Sequence, residues 1–335
     1  MRAEALFHVA PREVEVRGID LPAPAAGEVL IRSRCSAISP GTEAMVFAGV
    51  FPADAALDTR IAALKGGFSY PFRYGYALVG VVEATGSGVD EALVGTMVFS
   101  FHPHQDRAVV PLADCLAIPD GVAPEAAIFL PQVESALNFV MDGAPLVGER
   151  VLVFGQGVVG LLTAGILARF PLERLVAVEP LAWRRGLARQ WNVVESVDPT
   201  DPDDWRRMLA SLDGADLIFE LSGEMQALEQ AIEAAGFDGR IVVGSWYGAR
   251  ARPLDLGGRF HRNRLRIVSS QVSTLSPALS GRWDRLRRLD LAWRMLAQLE
   301  PGRMPCRRFP LARCAEAFEA ACGRREGVMQ VIFEY

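Results

Sequence analysis

Gly155, Gly157 and Gly160, within VLVFGQGVVGLL, keep the spacing G-x-G-x-x-G. The pattern is weak alone, but an apolar run precedes it and a helical stretch follows, the setting in which such glycines hold phosphates. Gly155 permits a tight turn, Gly157 lets backbone approach a pyrophosphate, and Gly160 lets a helix pack close to a strand. The helix start, where Val159 stands, offers free N–H groups and a positive dipole end to phosphate oxygens. Nineteen residues beyond Gly160 the next apolar run, RLVAVE, ends in Glu179, close to where a carboxylate accepts ribose hydroxyls. A 2′-phosphate would meet like charge there, so Glu179 favours NAD, while Arg184 and Arg185 just beyond it keep NADP open. The competing interpretation, a glycine-rich turn packing a strand on a helix, asks for no ligand.

The elements that must position this loop alternate. Apolar runs VLVFG (151–155), RLVAVE (174–179), DLIFELSG (216–223), RIVVGS (240–245) and RIVSS (266–270) are separated by helical LLTAGILARF, WRRGLARQW, PDDWRRMLASL and MQALEQAIEAAG. Strand–helix repetition with nearly continuous apolar strands predicts a parallel sheet covered on both faces. The first 120 residues read differently: EVEVRGI, GEVLIRSRCSAIS, ALVGVVEATG, GTMVFSF and DRAVVPLADCLAIPDG are strands between Gly, Pro and Asp breakers, a largely antiparallel and partly barrelled pattern. EAMVFAGVFPADAALDTRIAAL supplies a short helix and a loop, and the tail FPLARCAEAFEAACGRREGVMQVIFEY a helix and a strand of the opening kind. The expected α/β fold is therefore a Rossmann doubly wound parallel sheet, 132–273, inserted in a largely antiparallel β domain, 1–131 and 274–335.

Of the 335 residues 50% are hydrophobic and 22% charged, the profile of a globular protein with room for two domains. A net charge of −5 leaves no broad basic field, despite the local cluster Arg259, Arg262, Arg264 and Arg266, so nucleic acid is not an expected partner. Cys35, Cys115, Cys306, Cys314 and Cys322 form no C-x-x-C and no Cys/His grouping, which fits reduced thiols and a cytoplasmic location. The N-terminus meets charge too soon for a signal peptide. Residues 151–168 run 18 positions without charge, about the lower length for a membrane span, but strand, glycine turn and helix account for them, and no membrane partner is expected.

In this order the parts resemble the medium-chain dehydrogenase/reductase superfamily. The likeness rests on GEVLIRSRCSAIS, the hinge from Pro119 to Ala126, VGERVLVFGQGVVG, DLIFELSG followed by GRIVVGSWYG, and the closing AEAFEAACGRREGVMQVIFEY. The resemblance implies a GroES-like first domain, hydride transfer to a small-molecule substrate in a cleft between domains, and a homodimer or tetramer, here expected to be a homodimer. Many members hold a catalytic zinc with an early cysteine, a histidine in G-H-E, and a third Cys, Asp or Glu before the nucleotide domain. At those places this chain has Ser39 or Pro40, Tyr76 in Gly75-Tyr76-Ala77, and Leu130 or Pro131, with Glu134 near by. One carboxylate makes no zinc site, and the four-cysteine lobe of some members is missing, so no zinc is expected. ISPGTE, the long loop to YPFRYGY and FHRNRLRIVSSQVS further resemble the dehydrogenases related to the one acting on the hydroxyethyl group of bacteriochlorophyllide.

The resemblance also nominates site residues. Thr42 and Glu43 are similar to the Thr-Asp pair of zinc members, where the threonine relays a proton and the acid orients its neighbours; alternatively Gly41-Thr42-Glu43 is a turn with a helix cap. Without zinc, oriented donors and a general acid or base must serve the hydroxyl. Tyr76 can donate its phenolic proton, or pack at a cleft edge; Ser39 shares its neighbourhood. His104, in the H-x-H pair with His102, can shuttle protons or decorate a surface loop. Glu134 can act as base near the nicotinamide or be a dipole-favoured acid at a helix start. Ser245, Trp246, Ser270 and Gln271 follow the strands whose ends contact the cofactor, and Trp246 with Tyr247 can floor a pocket for a bulky substrate. His261 and its arginines can take an acidic group or lie in solvent. Together these residues predict a zinc-independent, NAD(H)-dependent alcohol dehydrogenase or carbonyl reductase for a fairly large secondary alcohol or ketone. The alternatives are an NADPH-dependent enoyl or quinone reductase and a catalytically inactive dinucleotide-binding sensor.

Overall fold

The β-branched runs between glycine and proline breakers form β1 (Arg2–Ala10), β2 (Glu13–Asp20) and β3 (Glu28–Ile38). A short helix, α1 (Thr42–Phe47), and a long connection lead to β4 (Leu78–Thr85), β5 (Met97–Ser100), β6 (Arg107–Pro111) and β7 (Cys115–Ala117). Two helices follow, α2 (Pro124–Ala127) and α3 (Leu130–Gly143). Alternation then begins with β8 (Arg150–Phe154), α4 (Val158–Leu167), β9 (Arg174–Val178), α5 (Ala182–Gln190) and β10 (Glu195–Val197). It continues through α6 (Pro202–Leu212), β11 (Ala215–Glu220), α7 (Met225–Ala234), β12 (Ala235–Val243), β13 (Arg266–Ser269) and α8 (Arg285–Leu299). The last elements are β14 (Cys306–Pro310), α9 (Cys314–Cys322) and β15 (Gln330–Glu334). This computed structural model describes residues 1–52, 54–323 and 325–335. Its chain divides into two units, Met1–Pro131 with Glu300–Tyr335, and Gln132–Leu299.

In the first unit β1 and β2 make an antiparallel ribbon. The larger sheet runs β14-β15-β3-β4-β5-β7, with β6 also on β3; its pairs are antiparallel except β14 with β15. Val29, Ile31, Leu78, Val82, Val98, Ala108 and Val110 fill the space it encloses. α9 closes one side by stacking Phe318 on Phe47, ring centroids 5.0 Å apart. The connection before β4 builds a small core of its own, Val46, Leu57, Leu64, Phe68, Phe72 and Tyr74. α1 starts at Gly41 with no side-chain cap, so the capping alternative for Thr42 is corrected: its hydroxyl is not spent on the helix start.

In the second unit the sheet is parallel throughout, in the order β10-β9-β8-β11-β12-β13. This is the order of a doubly wound dinucleotide-binding sheet, whose ligand site lies beyond the strand C-termini where the order reverses, here at β8. Leu152, Phe154, Val176, Ile218 and Ile241 from the strands pack with Trp205 and Met208 of α6 and Ile232 of α7. The expected boundary at 273/274 is corrected to 299/300, because α8 is anchored within this unit. Buried Arg288 donates to Glu134 Oε1 from Nη2 at 2.8 Å and to the Val272 carbonyl at 2.6 Å. Trp191 Nε1 donates to the Leu299 carbonyl at 3.1 Å.

Candidate active site

The glycine loop sits between β8 and α4, and its three glycines meet three different surroundings. Gly155 has φ +83°, and a Cβ there would lie 2.6 Å from Ser222 Cα. At Gly160 a Cβ would lie 1.9 Å from the Gly155 carbonyl oxygen, so helix and turn touch backbone to backbone. Gly157 is different: nothing lies nearer to its missing Cβ than Arg184 Nη1 at 4.0 Å. That opening stands at the start of α4, where Gly157 is the cap residue and supplies no side chain to the free N–H groups. Val159 is half-buried in the first turn, its carbonyl accepting from Thr163 Oγ1. The loop thus combines an approachable backbone with a helix start, and its residues fit a dinucleotide pyrophosphate.

Glu179 lies just past β9 and is buried. Its Oε2 accepts the Gln156 N–H at 2.7 Å and its Oε1 the Leu181 N–H at 3.0 Å, tying strand end to phosphate loop. Of the two arginines beyond it, Arg185 is committed locally, to the Pro180 carbonyl at 2.8 Å and Asp198 at 3.1 Å. Arg184 lies over the Trp183 ring, 5.2 Å from its centroid, with one nitrogen beside Gly157.

The remaining candidates of this unit separate. Ser245 Oγ accepts from the Gly223 N–H at 2.9 Å, and Trp246 is 38% exposed. Tyr247 does not floor a pocket freely, because its hydroxyl donates to Glu220; burial, then the Glu220 charge, push its phenol well above the usual range. Three candidates already have partners within the unit. Ser270 donates to Asp142 and accepts from Asn138, Gln271 folds onto Ser273 in its own turn, and Glu134 is paired with Arg288. Glu134 is also the fifth residue of α3 rather than an acid of its first turn, and its Oε1 accepts from the buried Arg288 guanidinium. His261, Arg262 and Arg264 are exposed. Residues the sequence reading missed are Glu220, wholly buried with Ser222 and Tyr247 on its oxygens, and the set Asn138, Asp142 and Arg288. A signal for that set existed: Glu134, Asn138 and Asp142 are four residues apart and so share one helix face.

In the first unit the structure brings Ser39, Thr42, Glu43, Tyr76 and His104 together. Tyr76 is half-buried, and the Ser39 and Thr42 side chains stand beside its hydroxyl. Burial and then the Glu43 charge push its phenol up to about 12, against the smaller opposing effect of those two hydroxyls. Glu43 Oε1 accepts the Ser39 N–H at 2.8 Å, while Oε2 lies 2.8 Å from His104 Nε2. His104 is fully buried, which overturns the surface-loop interpretation. Its other nitrogen lies 2.8 Å from Ser36 Oγ, itself 2.7 Å from the Tyr335 hydroxyl; Ser36 and Tyr335 carried no local sequence signal. His102 is buried too, its ring pulled down to about 4, chiefly by burial.

Zinc is the metal this architecture suggests. Serine, proline, tyrosine and leucine at 39, 40, 76, 130 and 131 offer none of the nitrogen, thiolate or carboxylate donors it takes. Glu43 and His104 are spent on each other, and among the described residues no group of three or more His, Cys, Asp or Glu is placed to hold a metal ion. The residues present do not fit the ion. Among the described residues no helix is long and apolar enough to cross a membrane.

The known proteins that this chain resembles are dehydrogenases. The profile of a family described as zinc-binding dehydrogenases matches residues 158–289, a stretch that includes none of positions 39, 76 or 131. D-guloside 3-dehydrogenase of Escherichia coli K12 is 27% identical over 305 residues, 87% of either chain. An alcohol dehydrogenase of E. coli CFT073, solved with NADH, superposes with a TM-score of 0.80 at 18% identity, covering 100% of this chain and 99% of that one. A zinc-binding dehydrogenase homologue of Sinorhizobium meliloti 1021, solved with NADP, gives 0.78 at 19%, with 100% of both chains covered. In sequence and in fold the proteins this chain resembles are oxidoreductases of the medium-chain dehydrogenase/reductase type.

Proposed function

We propose that this protein is a zinc-independent dehydrogenase exchanging a hydride between NAD(H) and a secondary alcohol or its ketone, on a fairly large substrate. The observation that carries the reading is the half-buried Tyr76, with Ser39 and Thr42 beside its hydroxyl, at the position that resembles the ligand histidine of zinc members. Gly155, Gly157 and Gly160 would hold the dinucleotide pyrophosphate, with Glu179 at the ribose, and the bound nicotinamide supplies or accepts the hydride. A phenol pushed up to about 12 keeps its proton at neutral pH. In the reducing direction Tyr76 therefore donates a hydrogen bond to the carbonyl oxygen and gives up its proton as charge develops there. Ser39 and Thr42 then stabilise the phenolate, and in the oxidising direction the same groups take the proton back. The secondary alcohol follows the relative: carbon 3 of a guloside bears a secondary hydroxyl. Glu179 supports NAD over NADP, since a 2′-phosphate beside that carboxylate meets like charge. Five free cysteines support a cytoplasmic protein, and the superfamily likeness a homodimer, which sedimentation would test.

The test is turnover of a panel of cyclic and aromatic secondary alcohols with either cofactor, on protein whose metal content has been measured. Metal-free protein should turn over with NAD, unchanged by chelator, and Tyr76→Phe should lose about a hundredfold in kcat with cofactor affinity kept. Stoichiometric zinc required for turnover, or full activity in Y76F, would refute the reading.

A further inference from the structure

We propose that Glu43 and His104 form a dyad that positions Tyr76, with His104 neutral and its single ring proton on Nε2. The positioning role rests on the reading of Tyr76 as proton donor; the placement of the proton does not.

The placement follows from donor and acceptor inventory. Both side chains are fully buried, and Nε2 to Oε2 is 2.8 Å. An ionised carboxylate only accepts, so Nε2 must donate. In a neutral ring Nδ1 is then an acceptor, and Ser36 Oγ, 2.8 Å away, donates to it. Having spent its proton, Ser36 accepts from the Tyr335 hydroxyl at 2.7 Å. The hydrogens therefore run one way, from Tyr335 to Ser36 to His104 to Glu43. A second proton on the ring would make Nδ1 a donor to Ser36 Oγ and leave one of the two hydroxyl protons, that of Ser36 or that of Tyr335, without an acceptor among the described residues.

The dyad reaches Tyr76 by two routes. Glu43 accepts the Ser39 N–H, and the Ser39 and Thr42 side chains stand beside the Tyr76 hydroxyl. On the other side the His104 ring fills the space of the Cβ that Gly75 lacks, 2.8 Å from that point. The ionisable neighbours are few. Those facing His104 are Glu43 on α1, His8 on β1 and His102 in its own loop, with Tyr335 beyond Ser36. Those facing Tyr76 are Glu43, Asp58 and Tyr74.

The experiment uses the full chain labelled with 15N-histidine, whose four histidines are few enough to resolve by nitrogen NMR, with His104→Gln identifying the signal. The wild-type ring should carry its proton on Nε2 alone across neutral pH. Glu43→Gln keeps an acceptor for the Ser39 N–H but turns an NH2 towards Nε2, so the ring proton should move to Nδ1. In E43Q kcat should fall at least about tenfold with cofactor affinity unchanged. The alkaline limb of its pH profile should move to lower pH, because a charge that opposed Tyr76 ionisation is gone; loss of packing alone would not move that limb. H104Q, whose amide still donates to an ionised Glu43, should keep the wild-type limb. A wild-type ring protonated on Nδ1 overturns the placement even if E43Q fails to fold. Unchanged kcat and limb in E43Q, or a limb shifted as far in H104Q, overturns the positioning role. Full turnover in Tyr76→Phe would instead sink the reading of Tyr76 and leave the tautomer result standing.

Discussion

Gly157 and Gly160 are three residues apart, and alanine should damage them in opposite ways. At Gly157 a methyl group meets nothing nearer than Arg184 Nη1 at 4.0 Å. Gly157→Ala should therefore melt like the wild type but bind NADH at least about tenfold more weakly, roughly 1.4 kcal/mol, as titration of cofactor fluorescence would read. At Gly160 the methyl would fall 1.9 Å from a carbonyl oxygen, so Gly160→Ala must shift backbone and should lower the melting temperature as well. Equal stability in the two variants would show that α4 does not pack on the turn as described. The glycine motif was legible because its physics is local: turn, approach and packing are all encoded within six residues. The Tyr76 neighbourhood was legible only as a position. His104 meets Glu43 across 61 residues and Ser36 meets Tyr335 across 299, and no spacing in the sequence announces either pair.

Among the elements, α8 shows how a single side chain can assign a helix to a unit. Arg288 is buried to 1% exposure with Glu134 as its counter-charge. Removing one member of such a pair strands the other charge, so Arg288→Met should cost about 3–5 kcal/mol in chemical unfolding. The double variant Arg288→Met/Glu134→Leu should recover most of that, since both charges and their desolvation go together. A double variant no better than the single would mean that the Asn138 and Val272 contacts, rather than the charge pair, hold the helix. The long apolar strands and periodic helices of the second unit were readable by pattern. β10 spans three residues, too few for any period to show. α8 was not recognised as part of the second unit because its anchor is an arginine, a residue that sequence patterning assigns to the solvent face.

For the molecule as a whole, the pH dependence of stability should carry the mark of His8. Its ring is buried between Phe72 and Phe318, neither nitrogen has a partner among the described residues, and burial, then His104, lower its pKa to about 3. The unfolded chain binds that proton near 6.5, so between these values it holds more protons than the folded one. Stability is complete above about pH 6.5 and declines as pH falls towards 3, by about 1.4 kcal/mol per pH unit from this group. His8→Phe, which keeps the stacking and removes both unpaired nitrogens, should flatten that slope between pH 6.5 and 5 in urea titrations; an unchanged slope would place its source elsewhere. A different kind of consequence lies in the pairing of β15 with β3, Val331 on Ile38 and Glu334 on Cys35. During synthesis the second unit can complete its sheet while the edge of β3 still waits, at cellular rates for roughly 15–60 s. An unpaired edge over that interval is a template for aggregation. A chain terminated before Gln330 should accordingly leave the ribosome with an intact nucleotide fold and still be lost to the insoluble fraction, its fate decided by the order in which strands arrive.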